Sequence, residues 1–105
     1  MYAIEEFSNI KNILVIGAGG TAKALCARFK QEGLNVSVLN RSEARLSYFN
    51  ELSCSTYTWK NFTLEKYDLV VNTTSAGLKD EELPAPKDMI ESILQNSNYV
   101  ADAIY

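Results

Sequence analysis

The 105-residue sequence contains no histidine, and its two cysteines, Cys26 and Cys54, stand far apart. Without histidine and without a C-x-x-C pair, zinc sites and Cys–His nucleophile pairs are excluded within this chain, and no metal ligands are assigned. Both cysteines read as plain thiols, with Cys26 on the apolar face of a predicted helix as a small buried hydrophobe. No apolar stretch approaches the roughly 20 residues of a membrane span. The opening Met1-Tyr2-Ala3-Ile4-Glu5-Glu6 lacks the basic and apolar regions of a secretory signal, so a reducing cytoplasm is expected. Ten Lys and Arg against thirteen Asp and Glu give a formal charge of −3. The basic residues are scattered rather than striped, which argues against a nucleic-acid partner. Repeats, low-complexity tracts and Gly/Ser linkers are also missing, and the length allows one domain rather than two.

What is present centres on Ile13-Leu14-Val15-Ile16, an apolar run that breaks into Gly17-Ala18-Gly19-Gly20-Thr21-Ala22. The run suits a parallel strand covered on both faces, which need not alternate polar with apolar. Gly17, Gly19 and Ala22 fit G-x-G-x-x-G/A: a tight turn, a close approach for a pyrophosphate, and a small residue packing helix on strand. An anion would sit on the unpaired N–H groups near Gly20 and Thr21, where the helix dipole favours it.

Downstream, Ala22, Leu25, Cys26 and Phe29 mark one face of a helix running to about Glu32, with Gly33 as its stop. Asn35–Leu39 reads as a second strand and Ser42 to Leu52 as a second amphipathic helix, with Leu46, Phe49 and Leu52 facing inward. A weak third strand is expected between Ser55 and Glu65, and a firm fourth at Leu69–Asn72. A long polar connection, Thr73 to Ala85, has the length of a functional loop. Pro86 opens a helix with Met89, Ile90, Ile93 and Leu94 as its stripe, ended by Asn96-Ser97-Asn98, and Tyr99 to Tyr105 forms a fifth strand. Residues 1–10 read as a linker or the end of an entering helix. Strands alternating with helices at this spacing predict an α/β, Rossmann-like, doubly wound parallel sheet of about five strands in the order 3-2-1-4-5. Its ligand would lie outside the carboxyl ends of the strands, between the first and the fourth.

The end of the second strand selects the nucleotide. NAD-binding domains usually place Asp or Glu there for the ribose 2′-OH, whereas this chain has Asn40-Arg41-Ser42, with Arg45 one turn on. Two guanidinium groups and no acid favour a 2′-phosphate, hence NADP over NAD. The competing reading makes Asn40 or Ser42 a helix cap and leaves both arginines solvated; one helix N-terminus can serve both purposes.

The stretches Gly17 to Leu25, Asn40 to Arg45, Val71-Asn72-Thr73-Thr74-Ser75-Ala76-Gly77 and Asp102-Ala103-Ile104-Tyr105 resemble, in order, successive motifs of the shikimate dehydrogenases, from about Asn12 onward. The resemblance implies reversible reduction of 3-dehydroshikimate to shikimate with NADPH, on the route to chorismate and the aromatic amino acids. It implies that Gly17, Ala18, Gly19, Gly20 and Thr21 hold the pyrophosphate. Asn40, Arg41, Ser42 and Arg45 would hold the 2′-phosphate, with Arg41 able to stack on adenine. Asn72, Thr73, Thr74 and Ser75 would line the nicotinamide side. Ala103 stands where the family usually has a larger residue whose backbone meets the nicotinamide amide, and Tyr105 corresponds to a tyrosine that contacts substrate.

The family's catalytic Lys and Asp belong to a substrate domain preceding the cofactor domain. The expectation is therefore an NADP-binding domain over 11–105, with no catalytic residue in this chain, inactive without the missing substrate domain. Lys11, Lys23 and Asp102 read as solvent-facing or structural. The alternatives are a glutamyl-tRNA reductase-like cofactor domain, a quinate/shikimate enzyme, and a non-catalytic nucleotide-binding module.

Overall fold

The computed structural model describes residues 10–74 and 85–103. The apolar run forms β1 (Asn12–Ile16), and Ile13 to Ile16 are all buried, as a strand covered on both faces requires. Then follow α1 (Gly20–Gln31), β2 (Asn35–Leu39), a 3-10 turn (Glu43–Arg45), α2 (Ser47–Glu51), β3 (Ser55–Tyr57), β4 (Tyr67–Asn72), α3 (Lys87–Gln95) and β5 (Ser97–Asp102). The sheet order is β3-β2-β1-β4-β5, and every pairing is parallel. This is the expected Rossmann-like order.

Alternate side chains of the strands feed two cores. On one face Ile13, Val15, Val36, Val38 and Val71 meet Ala22 and Cys26 of α1 and Phe49 of α2. On the other, Leu14, Ile16, Leu39 and Val70 meet Ile90 and Ile93 of α3. Removing the fully buried Phe49 ring would cost about 3–5 kcal/mol. Cys26 and Cys54 are free and buried in the first core. Burial, then the neighbouring Cys54, pushes the Cys26 thiol up to about 12, and burial also raises Cys54, so neither is a ready nucleophile.

Gly33 stops α1 as expected. Its φ of +77° lets its N–H reach the Lys30 carbonyl while the Leu34 N–H reaches that of Phe29, a Schellman closure. Ser53, with φ +65°, closes α2 in the same way: its N–H donates to the Asn50 carbonyl, and that of Cys54 to Phe49.

Three expectations are corrected. The single helix over Ser42 to Leu52 is a 3-10 turn followed by a five-residue helix. Leu46, Phe49 and Leu52 repeat every three residues, which suits the tighter winding. Bonds spanning three residues run from the Leu46 N–H to Glu43 and from Phe49 to Leu46. The fifth strand is Ser97–Asp102 rather than Tyr99 to Tyr105, with Ala103 beyond its end: α3 is already capped at Asn96, whose carbonyl accepts the Tyr67 N–H. The fourth strand starts two residues early, at Tyr67. The long connection falls mostly on residues 75–84, and Tyr105, Ser75 and residues 1–9 likewise lie outside the described residues. Among the described residues no helix is long and apolar enough to cross a membrane, and no cluster of metal-ligating side chains occurs.

Candidate functional site

A parallel sheet puts the carboxyl ends of all its strands on one side, and the order β2-β1-β4 sets three of the singled-out segments next to one another there. Gly17 leaves β1 while still paired, its N–H donating to the Leu39 carbonyl of β2 at 2.8 Å. Its φ of +109° then turns the chain in a conformation L side chains rarely adopt. Thr73, leaving β4, fastens to the same place: its N–H and its hydroxyl both donate to the Ile16 carbonyl, at 2.9 and 2.8 Å. Ala18 and Ala22 are buried, so the small residues at these positions let α1 lie close on β1.

Gly19 and Gly20 are different. Both are exposed, and a Cβ built at either meets nothing within 4 Å. Gly19 precedes the first turn of α1 in an extended conformation, no side chain caps that end, and the first turn holds no acidic residue. The N–H groups of the first turn, including those of Gly20 and the half-buried Thr21, therefore lack intrahelical acceptors. They stand at the positive end of a 12-residue helix. The residues present fit a phosphate-bearing group: no side chain caps the helix start and its first turn carries no carboxylate.

Beyond β2, the Asn40 N–H continues the ladder by donating to the Tyr57 carbonyl at 3.0 Å, and its amide Nδ2 donates to the Ser42 carbonyl at 2.9 Å. Ser42 Oγ accepts from the Ala44 N–H, capping the 3-10 turn. Capping is thus present and Arg41 and Arg45 are exposed, both as the competing reading held. Neither forms an ion pair among the described residues.

At the end of β4, Asn72 is fully buried. Its Nδ2 donates to Asp102 Oδ1 at 3.0 Å, and its Oδ1 accepts from the Thr74 N–H and hydroxyl at 3.0 and 2.7 Å. The side chain shapes the exit from β4, while the half-buried Thr73 and Thr74 present that exit beside Gly17. The Ala103 N–H donates to the Asn72 carbonyl at 2.7 Å, which holds the end of β5 against β4. Asp102 is therefore structural, and Lys11 and Lys23 are exposed, the latter lying over the Tyr48 ring.

Two side chains that matter here carry no motif. Asp68, at the opposite end of β4, accepts from the Lys11 and Asn12 N–H groups at 2.8 and 2.9 Å and fixes where β1 begins. Trp59 lies beneath Arg41, whose guanidinium carbon stands 5.7 Å from the ring centroid. Parallel register could have signalled it: Leu39 pairs with Tyr57, and Arg41 and Trp59 each lie two residues further on.

The fold and this crevice at the switch point define a Rossmann-like α/β domain. A family model described as Shikimate / quinate 5-dehydrogenase matches residues 2–102, and the chain belongs to that family. Shikimate dehydrogenase (NADP(+)) of Helicobacter acinonychis (strain Sheeba) is 40% identical over 99 residues, 92% of this chain and 36% of that protein. The Aquifex aeolicus (strain VF5) protein of the same name is 31% identical over 96 residues, 90% of this chain and 35% of its own. Among solved structures, a chorismate mutase/shikimate 5-dehydrogenase fusion protein from Clostridium acetobutylicum superposes with a TM-score of 0.71 at 21% identity, covering 99% of this chain and 39% of that one. CAD from Helicobacter pylori complexed with NADP(H) gives 0.61 at 18% identity, covering 96% and 36%. At those identities the two structures speak to fold alone. The chain spans about a third of the length of the curated relatives it matches.

Proposed function

We propose that residues 11–105 form the NADP(H)-binding domain of a cytoplasmic shikimate dehydrogenase, whose whole protein interconverts 3-dehydroshikimate and shikimate. The observation that carries the reading is the pairing of an uncapped helix start after β1 with two exposed arginines after β2 that form no ion pair among the described residues. The first suits a pyrophosphate and the second a 2′-phosphate. The relatives' names, which include NADP(+), support the same cofactor.

In this reading the nucleotide, when bound, supplies the hydride, and the chain's own groups bind and orient it. The N–H groups of Gly19, Gly20 and Thr21 receive the pyrophosphate, and Arg41 with Arg45 clamps the 2′-phosphate beside Asn40 and Ser42. Thr73 and Thr74, the latter held by Asn72, line the nicotinamide side, to which Ser75 is also assigned. The Ala103 backbone is assigned to the nicotinamide amide, and Tyr105 is assigned as a substrate contact. No catalytic residue is assigned within this chain; the groups that polarise the carbonyl belong to a partner domain that binds shikimate.

The test is a comparison of nucleotides. NADP⁺ should raise the melting temperature of the 105-residue chain well above the shift given by NAD⁺, and the chain alone should not oxidise NADPH with 3-dehydroshikimate. Equal shifts from the two nucleotides, or none, would sink the cofactor assignment. Measurable turnover would sink the assignment of catalysis to another domain.

A further inference from the structure

We infer that Trp59 is the positioning residue for Arg41, a fixed aromatic platform that sets the guanidinium for a 2′-phosphate and so governs the preference for phosphorylated over unphosphorylated adenosine. The inference rests on the NADP reading and extends it to a side chain with no place in the motif.

The platform is fixed from below. Asn61 Oδ1 accepts the Thr58 N–H at 2.7 Å, Thr58 Oγ1 accepts the Lys60 N–H, and the Asn61 N–H returns to the Thr58 carbonyl. Trp59 thus sits in a turn tied at both ends. Its ring packs against the second core, as do Tyr57 and Phe62, whose own rings meet edge to face. The indole N–H is buried without a partner among the described residues. It is the ring face, under Arg41, that makes the contact at this site.

The chemistry of that contact differs from an ion pair in one decisive respect. A carboxylate beside Arg41 would occupy its N–H donors and compete with an incoming phosphate. An aromatic face attracts the cation through the ring quadrupole and leaves the in-plane donors available. An unrestrained arginine loses much rotamer freedom when it grips a ligand; one already resting on a ring loses less, so binding is tighter without any new contact to the phosphate.

The experiment uses calorimetry on the 105-residue chain with two probes, adenosine 2′,5′-bisphosphate and adenosine 5′-monophosphate, which differ only at the 2′ position. Wild type should prefer the bisphosphate. Trp59→Leu should reduce that preference about two- to fivefold and leave monophosphate affinity unchanged. Trp59→Phe should keep most of it, and Arg41→Ala/Trp59→Leu should be no worse than Arg41→Ala. A Trp59→Leu variant with wild-type preference, or losses that multiply in the double variant, overturns the platform and spares the NADP reading. A wild type with no preference overturns both. Trp59 is the only tryptophan of the chain, so its emission gives a readout independent of any variant's folding. It should respond to the bisphosphate and not to the monophosphate, and indifference to the bisphosphate overturns the platform.

Discussion

Thr73 stands where a side chain on Gly17 would have to go: a Cβ built on that glycine lies 2.5 Å from Thr73 Oγ1 and 3.1 Å from the Thr74 methyl. The glycine is required twice over, by its positive φ and by the wall that β4 brings against it.

Gly17 and Gly19 should therefore fail differently. Gly17→Ala is expected to destabilise the fold by about 2–4 kcal/mol through strain and overpacking, read by urea denaturation. Gly19→Ala, with a φ of −90° and free space around its Cβ, should hold stability within about 1 kcal/mol. Its new methyl group stands where a pyrophosphate would approach, so NADP⁺ affinity should fall about tenfold, a loss of some 1.4 kcal/mol. Wild-type affinity in a folded Gly19→Ala protein would place the pyrophosphate elsewhere.

Asn72→Ala should cost about 2–4 kcal/mol, because it strands the Thr74 N–H and removes the link to Asp102 at a fully buried position. Asn72→Asp should be worse near neutral pH, with a second carboxylate set beside Asp102. Burial and that neighbour raise the new group's folded pKa, so the variant should regain stability as the pH falls through it. Thermal denaturation across pH checks both; loss that deepens in acid would contradict the arrangement.

Asp68 should give the opposite pH sign. Hydrogen bonds from the Asn12 N–H, then from Lys11, hold its carboxyl below the ordinary value, so the folded chain favours the charged form. Its contribution is present above the unfolded pKa, near 4, and is lost as the pH falls through the lower folded value. At pH 7, Asp68→Asn should cost about 1 kcal/mol. That difference should close in acid; a gap independent of pH would mean that the charge is not what the two N–H groups recognise.

Much of the fold was legible because its signals are local. The run before Gly17 and the helical spacing after it announce strand, turn and helix within some twenty residues, and the alternation of elements then limits the sheet to few orders. The break before α2 was not legible, since Leu46, Phe49 and Leu52 satisfy a helical template nearly as well as a 3-10 one. Asp68, and the strand-linking role of Asn72, which was expected only on the nicotinamide side, escaped for another reason. Their partners, Asn12 and Asp102, are 56 and 30 residues away, and nothing in a short window distinguishes a carboxylate that staples two strands from one in solvent. The candidate site divides in the same way, with Gly17 and Arg41 visible as motif residues and Trp59 visible only through register.

The bond from Thr73 to Ile16 spans 57 residues, and this separation sets the order in which the crevice can be assembled. β1, α1 and β2 lie within one short stretch of chain, but the Thr73 wall arrives only when β4 docks against β1, a closure with a large entropic cost. A half-built sheet has the glycine turn without its wall. A ligand gripping both sides of the crevice therefore acts on the completed fold, and its effect falls on the rate of unfolding rather than of folding.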